Sequence, residues 1–276
     1  MKISECSKFI FIATSSRYLE DRFLYDVSYG IEVLKTKGVA DEDITIVTDA
    51  TKETLVAKCP NMANLPFSTS SSFEFVIESA DCDNLFIISC CHGSMDGIDS
   101  ATPIKPFSLN QALKNNQYAK NILVFLGQCY AGIFNFMDVR DERKNIVYIG
   151  ATDINTSLSY TLNGCGWVAN ISVIALFEWI KNPQDIDGDG IYSITDLYKF
   201  VSFFTNNVTK DIEKIQHRRL IDASVTLKFG AGIAKPTNPF TEKIIKDAAD
   251  IINGYIVPHQ NPWMLNAIAA GKMCFE

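Results

Sequence analysis

Two uninterrupted apolar runs, each ending in a reactive side chain, constrain this chain more than any other feature. Asn84-Leu85-Phe86-Ile87-Ile88-Ser89-Cys90-Cys91 leads into His92-Gly93, and Asn121-Ile122-Leu123-Val124-Phe125-Leu126-Gly127 leads into Gln128-Cys129-Tyr130-Ala131-Gly132. Runs that are continuous rather than alternating read as strands covered on both faces, the habit of parallel sheets in α/β proteins. In such sheets ligands bind at the carboxyl ends of the strands. A His and a Cys at the ends of neighbouring strands face one crevice, which is the relation a thiol nucleophile and its proton-transfer partner need.

The flanking segments predict the rest of an α/β layer structure. Lys8–Thr14 reads as a first strand, 22–37 as a helix with Val27, Ile31 and Leu34 on one stripe and Gly38 as its stop, and Asp43–Val47 as a second strand. That β-α-β opening predicts parallel strands joined by a right-handed crossover. Residues 60–72, rich in Pro, Ser and Thr, read as a surface loop, 73–80 and 109–114 as short helices, and Asn145–Gly150 as a further strand. Trp167–Trp179, Ile194–Thr205 and 242–253 have helical patterns, and the tail 259–276 is either a late strand or a segment over the site. With no repeat and no low-complexity linker, a single domain over 1–276 is expected, with a loop insertion at 185–196 and an unassigned segment at 216–276.

Bulk properties exclude several classes of function. A net charge of −7 argues against nucleic acid or an anionic membrane as partner. No stretch reaches the roughly 18 apolar residues of a membrane span. The run Phe9–Ala13 is too short for a signal peptide and lacks a basic flank and a small-residue cleavage site. The eight cysteines form no C-x-x-C pair, so free thiols in a reducing cytoplasm are expected rather than zinc or disulfide chemistry. On that view the sequons at Asn155, Asn170 and Asn207 are chance.

A free thiol titrates near roughly 8.5, so a neighbouring base is needed at neutral pH. His92 can also protonate a leaving amine once an acyl-enzyme forms. Gly93, Gly127 and Gly132 let the backbone approach a substrate and leave N–H groups to hold an oxyanion. Taken singly, a strand-end Cys is usually a small buried hydrophobe and a lone His is usually structural. The paired strand–His-Gly and strand–Gln-Cys-x-x-Gly contexts favour catalysis by Cys129 and His92.

On these residues the chain resembles the caspase-like (clan CD) cysteine peptidases, and within them the legumain (asparaginyl endopeptidase) family and its bacterial relatives, over roughly the first 200 residues. The segment Asp21-Arg22-Phe23-Leu24-Tyr25-Asp26-Val27, with Leu34, Lys37-Gly38-Val39 and Asp41-Glu42-Asp43-Ile44, looks like the first helix and second strand of legumains. His92-Gly93-Ser94 looks like their His-Gly-Ser, Cys129 falls at their nucleophile, and 151–160, ending Ser159-Tyr160, looks like their substrate-binding loop. The resemblance implies a three-layer α/β/α sandwich around a mostly parallel sheet. It implies a cysteine endopeptidase in which Cys129 attacks, His92 protonates the leaving amine and the N–H groups of Gly93 and Cys129 bind the oxyanion. Arg22, with Asp153 and Ser159, would line the substrate pocket and favour Asp or Asn at P1. The chain departs from the pattern in having Gly127-Gln128-Cys129-Tyr130 where legumains have Glu-Ala-Cys-Glu, and Phe23 at their pocket histidine, which weakens strict asparagine specificity.

A second motif is an acidic loop. Asp185, Asp187, Asp189 and Asp196 stand at positions 1, 3, 5 and 12 of a calcium-loop pattern, with a Gly at 6 and the Ile191 carbonyl at 7. An acidic turn capping the next helix is the plainer reading, because Asp and Gly form turns. One such loop suggests a structural or activating Ca²⁺, and nothing suggests an organic cofactor. Two other functions fit the same residues: a transpeptidase or transamidase that resolves the acyl-enzyme with an amine, and a catalytically silent calcium-binding interaction module. Restraint of an active peptidase is expected from self-cleavage, calcium or a regulatory protein partner.

Overall fold

The computed structural model describes residues 5–162, 164–230, 239–253 and 260–275. They divide into two compact units, residues 1–205 with 259–276, and residues 206–258. The larger unit is built on a seven-stranded sheet whose strands are, in chain order, β1 (Ser7–Ile12), β2 (Ile44–Val47), β3 (Phe67–Ser68), β4 (Asn84–Ser89), β5 (Asn121–Leu126), β6 (Asn145–Gly150) and β7 (Trp263–Leu265). Their spatial order is β7-β6-β5-β4-β1-β2-β3. All neighbours are parallel except β7, which runs antiparallel along β6. The chain therefore grows outward from β1 to β3, returns, and grows from β4 to β6 on the other side. The reversal between β1 and β4 is the kind of switch point that opens a crevice at the carboxyl ends.

The expected α/β sandwich is observed. Phe9, Phe11, Phe86, Ile88, Phe125 and Ile149 point to one face, against α1 (Asp21–Thr36) and the later helices α5 (Ile171–Lys181) and α6 (Ile194–Gly230). Ile10, Ile87, Val124 and Tyr148 point to the other, against α3 (Phe73–Glu78) and α4 (Pro106–Asn115). Adjacent residues going to opposite layers is why the runs are continuously apolar. Between β2 and β3 lies α2 (Lys52–Lys58), and α7 (Pro239–Asn253) and α8 (Ala267–Ala270) complete the helices described.

Register is marked at the amino end of the sheet by a ladder of polar side chains. Ser7, Asn84, Asn121 and Asn145 are aligned across four strands. The Asn145 amide donates to the Asn121 carbonyl oxygen (2.9 Å), that of Asn121 to Asn84 (3.0 Å), and that of Asn84 to the Ser7 hydroxyl (3.4 Å). At the other end Ile12, Ser89, Leu126 and Gly150 are level.

Three sequence expectations change. The 60–72 segment is not a plain surface loop: Met62 and Leu65 are buried, and Phe67–Ser68 adds the outer strand β3. The helix expected from Trp167 begins at Ile171, because Val168–Asn170 pairs antiparallel with Ser159–Thr161 as a ribbon. Asn170 then caps α5, its Oδ1 accepting the N–H groups of Ser172 and Val173. The helix expected over 194–205 continues to Gly230, as no Pro or Gly interrupts residues 206–229. His217, Arg218 and Arg219 thus lie exposed on this helix. The tail supplies β7 and the Cys274–Phe275 strand, which pairs with Tyr192–Ser193, while His259 lies outside the described residues.

Candidate active site

The aligned strand ends carry the site. His92 stands three residues beyond Ser89, Cys129 three beyond Leu126 and Asp153 three beyond Gly150, so the sheet delivers them to neighbouring loops at one level. Gly93 is pressed so closely on the Cys129 carbonyl and the Gln128 side chain that a Cβ would collide with both. Glycine is the residue that permits this approach. Behind it, the Ser89 hydroxyl donates to Gln128 Oε1 and accepts the Gly127 N–H (3.0 Å). This fixes the backbone on both sides of the thiol.

The turn after Cys129 is wound tightly. Tyr130 has φ of 56°, a left-handed conformation that costs a non-glycine residue roughly 1–2 kcal/mol. Its N–H donates to the Asn155 carbonyl (2.7 Å), and the Gly132 N–H donates to the Asp153 carbonyl (3.0 Å). A Cβ on Gly132 would sit 2.6 Å from the Asp153 backbone carbon. Cys129 itself is part-exposed, and its Sγ accepts the Ser157 N–H at 3.3 Å. The Cys129 N–H has no acceptor among the described residues, as an oxyanion donor requires. The two preceding thiols are of no use as nucleophiles. Cys90 and Cys91 are buried, and burial drives the Cys90 thiol far up and Cys91 to about 12.

His92 has a partner that sequence reasoning missed. Its Nε2 lies 2.5 Å from Glu20 Oε1, and the other oxygen of that carboxylate is 2.5 Å from Arg22 Nε. A charged acceptor places the proton on Nε2, which leaves Nδ1 as the free ring nitrogen. The hydrogen bond from Arg22, then that from His92, holds the Glu20 carboxyl below its ordinary range against the opposing effect of burial. Phe23 stands between the two partners, with the Arg22 guanidinium 4.1 Å from its ring centre and its edge on the His92 ring at 4.9 Å. Arg22 also donates from an η nitrogen to Ser159 Oγ at 2.7 Å. The structure therefore joins Arg22, Ser159 and His92 through Glu20. Asp153 is used locally, its Oδ1 accepting the Asn155 amide (2.8 Å).

Asn170, named above only as a sequon, Asp26 and Gln260 have structural roles that the sequence did not signal. The Asn170 amide donates to the Gly127 carbonyl (2.6 Å) and Ser157 Oγ (3.2 Å), tying the α5 cap to the turn that carries Cys129. Buried and so engaged, this sequon residue is closed to glycosylation. Asp26 accepts the Trp167 indole N–H (2.8 Å) and the Asn170 N–H (3.1 Å). Burial pushes its carboxyl up to about 7, despite those two bonds and the Arg22 charge. Gln260 accepts the Leu158 N–H and donates to Ser172 Oγ, both at 2.7 Å. A run of charge or a motif spacing signals none of these.

The acidic loop gathers only part of its expected set. Oxygens of Asp185, Asp187 and Asp189 lie within 4.8 Å of one another. Asp196 does not join them. It is buried, and its carboxylate accepts the N–H groups of Ile186, Asp187 and Ser193 and the Ser193 hydroxyl. Burial would raise its pKa, but those bonds outweigh burial and hold it below the ordinary value. Lys199 Nζ sits 2.5 Å from Asp187 Oδ2.

All eight cysteines are free thiols, and among the described residues no helix is long and apolar enough to cross a membrane. No protein-family model and no curated protein matches the chain. Among solved structures it is similar to drICE, a caspase, at 14% identity over 75% of this chain and 84% of that one, with a TM-score of 0.42. A likeness of that degree bears on neither activity nor specificity.

Proposed function

We propose that the protein is a clan CD cysteine endopeptidase with Cys129 as nucleophile and His92 as proton donor. The observation that carries the reading is the placement of these two residues at equal offsets beyond adjacent parallel strands, with Gly93 seated on the Cys129 backbone. The Cys129 thiolate adds to the scissile carbonyl carbon while the N–H groups of Gly93 and Cys129 hold the oxyanion. Collapse breaks the C–N bond, and His92 gives the departing nitrogen the proton its Nδ1 took from the thiol. Water then hydrolyses the thioester, and its proton returns through Nδ1 to the sulfur and restores the thiol. Glu20 is a positioning residue that orients the imidazole. Arg22, backed by Ser159, is the charge that a P1 Asp or Asn would meet, in competition with Glu20.

Calcium at the acidic loop belongs to the same proposal. Three clustered carboxylates and a backbone carbonyl at Ile191 are hard oxygen donors suited to that ion. Asp196 would brace the loop rather than ligate, and Lys199 would have to leave Asp187. Bound there, the ion would neutralise the three carboxylates and stiffen the entry to α6.

The test is a proteomic cleavage-site profile of purified protein beside Cys129→Ala, with and without Ca²⁺. Cuts clustered after Asp or Asn that vanish in the variant are expected. If no cuts occur in either condition and Cys129 is alkylated no faster than Cys6, Cys165 and Cys274, the peptidase reading falls and the silent module replaces it. Ligation of an added amine to the cleaved peptide would instead mark a transpeptidase.

A further inference from the structure

A second recess lies along α1, separate from the Cys129 crevice. It is a groove of about 600 Å³ lined by Tyr25, Tyr29 and Glu32 of α1, Trp167 of the ribbon, and Glu178 and Lys181 of α5. Four aromatic rings line it, Phe204 and a cluster in which Trp167 stands 5.9 Å from Tyr25 and 6.4 Å from Tyr29 between ring centres. Glu178 is held by the Tyr29 hydroxyl, while Glu32 is exposed on the helix and forms no ion pair among the described residues. Two carboxylates thus oppose one ammonium, and aromatic faces add their own negative potential. An anion would meet like charge there, and an apolar group would strip water from both carboxylates. A cation on an apolar stem suits the carboxylates and the rings, with Leu162, Ile174 and Phe204 left to cover the stem.

We infer that this groove binds a basic segment of polypeptide, an arginine side chain lying over Trp167 and the tyrosines with its charge against Glu32. A planar guanidinium can stack on the rings and still present its edge to a carboxylate. The polypeptide nature of the occupant rests on the peptidase reading. Arg22 and Tyr29 are about 10 Å apart along a helix rising 1.5 Å per residue. An extended peptide covers that in about three residues, so a chain held at Arg22 reaches the groove.

The experiment is calorimetric titration of Cys129→Ala protein with N-acetylated, C-amidated tri-arginine, beside the isosteric uncharged tri-citrulline. Saturable binding of tri-arginine is expected, weakened at least fivefold by Glu32→Gln and absent for tri-citrulline. Glu32 is exposed on α1, so the substitution leaves the fold intact. No saturation at millimolar peptide, equal binding of tri-citrulline, or unchanged affinity in Glu32→Gln each overturns the proposal, the last by assigning the binding to the acidic surface at large. Because the titration needs no turnover, the groove and the peptidase reading fail separately.

Discussion

At the scale of single residues, one carboxylate does two jobs. Glu20 reaches His92 with one oxygen and Arg22 with the other, so on the proposed mechanism it orients the proton donor and screens the pocket charge. Glu20→Ala should lower kcat on the order of 10- to 100-fold, less than the loss of the acid itself, and should also lower KM for a P1-Asp peptide by freeing Arg22. Steady-state kinetics on a P1-Asp peptide would show it, and an unaltered kcat would remove Glu20 from the mechanism. Asp26 makes a different prediction. Its folded carboxyl titrates at about 7 against an ordinary 3.8, so the folded state keeps a proton that the unfolded chain gives up. The stability it contributes is full below the lower value and is lost as pH rises through the higher one, a swing on the order of 4 kcal/mol. Asp26→Asn should flatten the dependence of unfolding free energy on pH between those values. Equal slopes in urea titrations of the two proteins would show that Asp26 is not its source.

At the scale of elements, the strands were legible because burial on two faces leaves a continuous apolar signature, and the meeting of the His92 and Cys129 loops because both residues end those runs. Arg22 and Ser159 were legible only through the resemblance, and the structure does bring them together. What escaped were residues whose role depends on partners far along the chain. Glu20 lies 72 positions from His92 and Asp26 lies 141 from Trp167, and no local period records such pairings. The start of α5 was misplaced because the apolar run from Trp167 suits a ribbon as well as a helix, and only the cap at Asn170 separates them. That cap also holds the Gly127 carbonyl, so Asn170→Ala should cost about 2–3 kcal/mol, a capping loss plus one buried hydrogen bond. Chemical denaturation would measure it, and a change below about 0.5 kcal/mol, typical of a neutral surface site, would contradict the assigned role.

At the scale of the whole molecule, the carboxyl end of the sheet carries His92 and Cys129, and the acidic loop precedes α6. If Ca²⁺ binds there, millimolar Ca²⁺ should raise Tm by about 5 °C or more, since saturation near 100 times Kd stabilises by about 2.7 kcal/mol. The rise should disappear with chelator and in Asp187→Asn; a melting curve indifferent to Ca²⁺ would leave the loop as an acidic turn. The asparagine ladder lies at the far end from all of this, and His92 stands as far beyond Asn84 as Cys129 does beyond Asn121. It acts as a common origin from which each strand is counted. Loops grafted onto the carboxyl end would then inherit the spacing of His92 and Cys129, so that on the proposed reading substrate preference could be exchanged while the pair keeps its place.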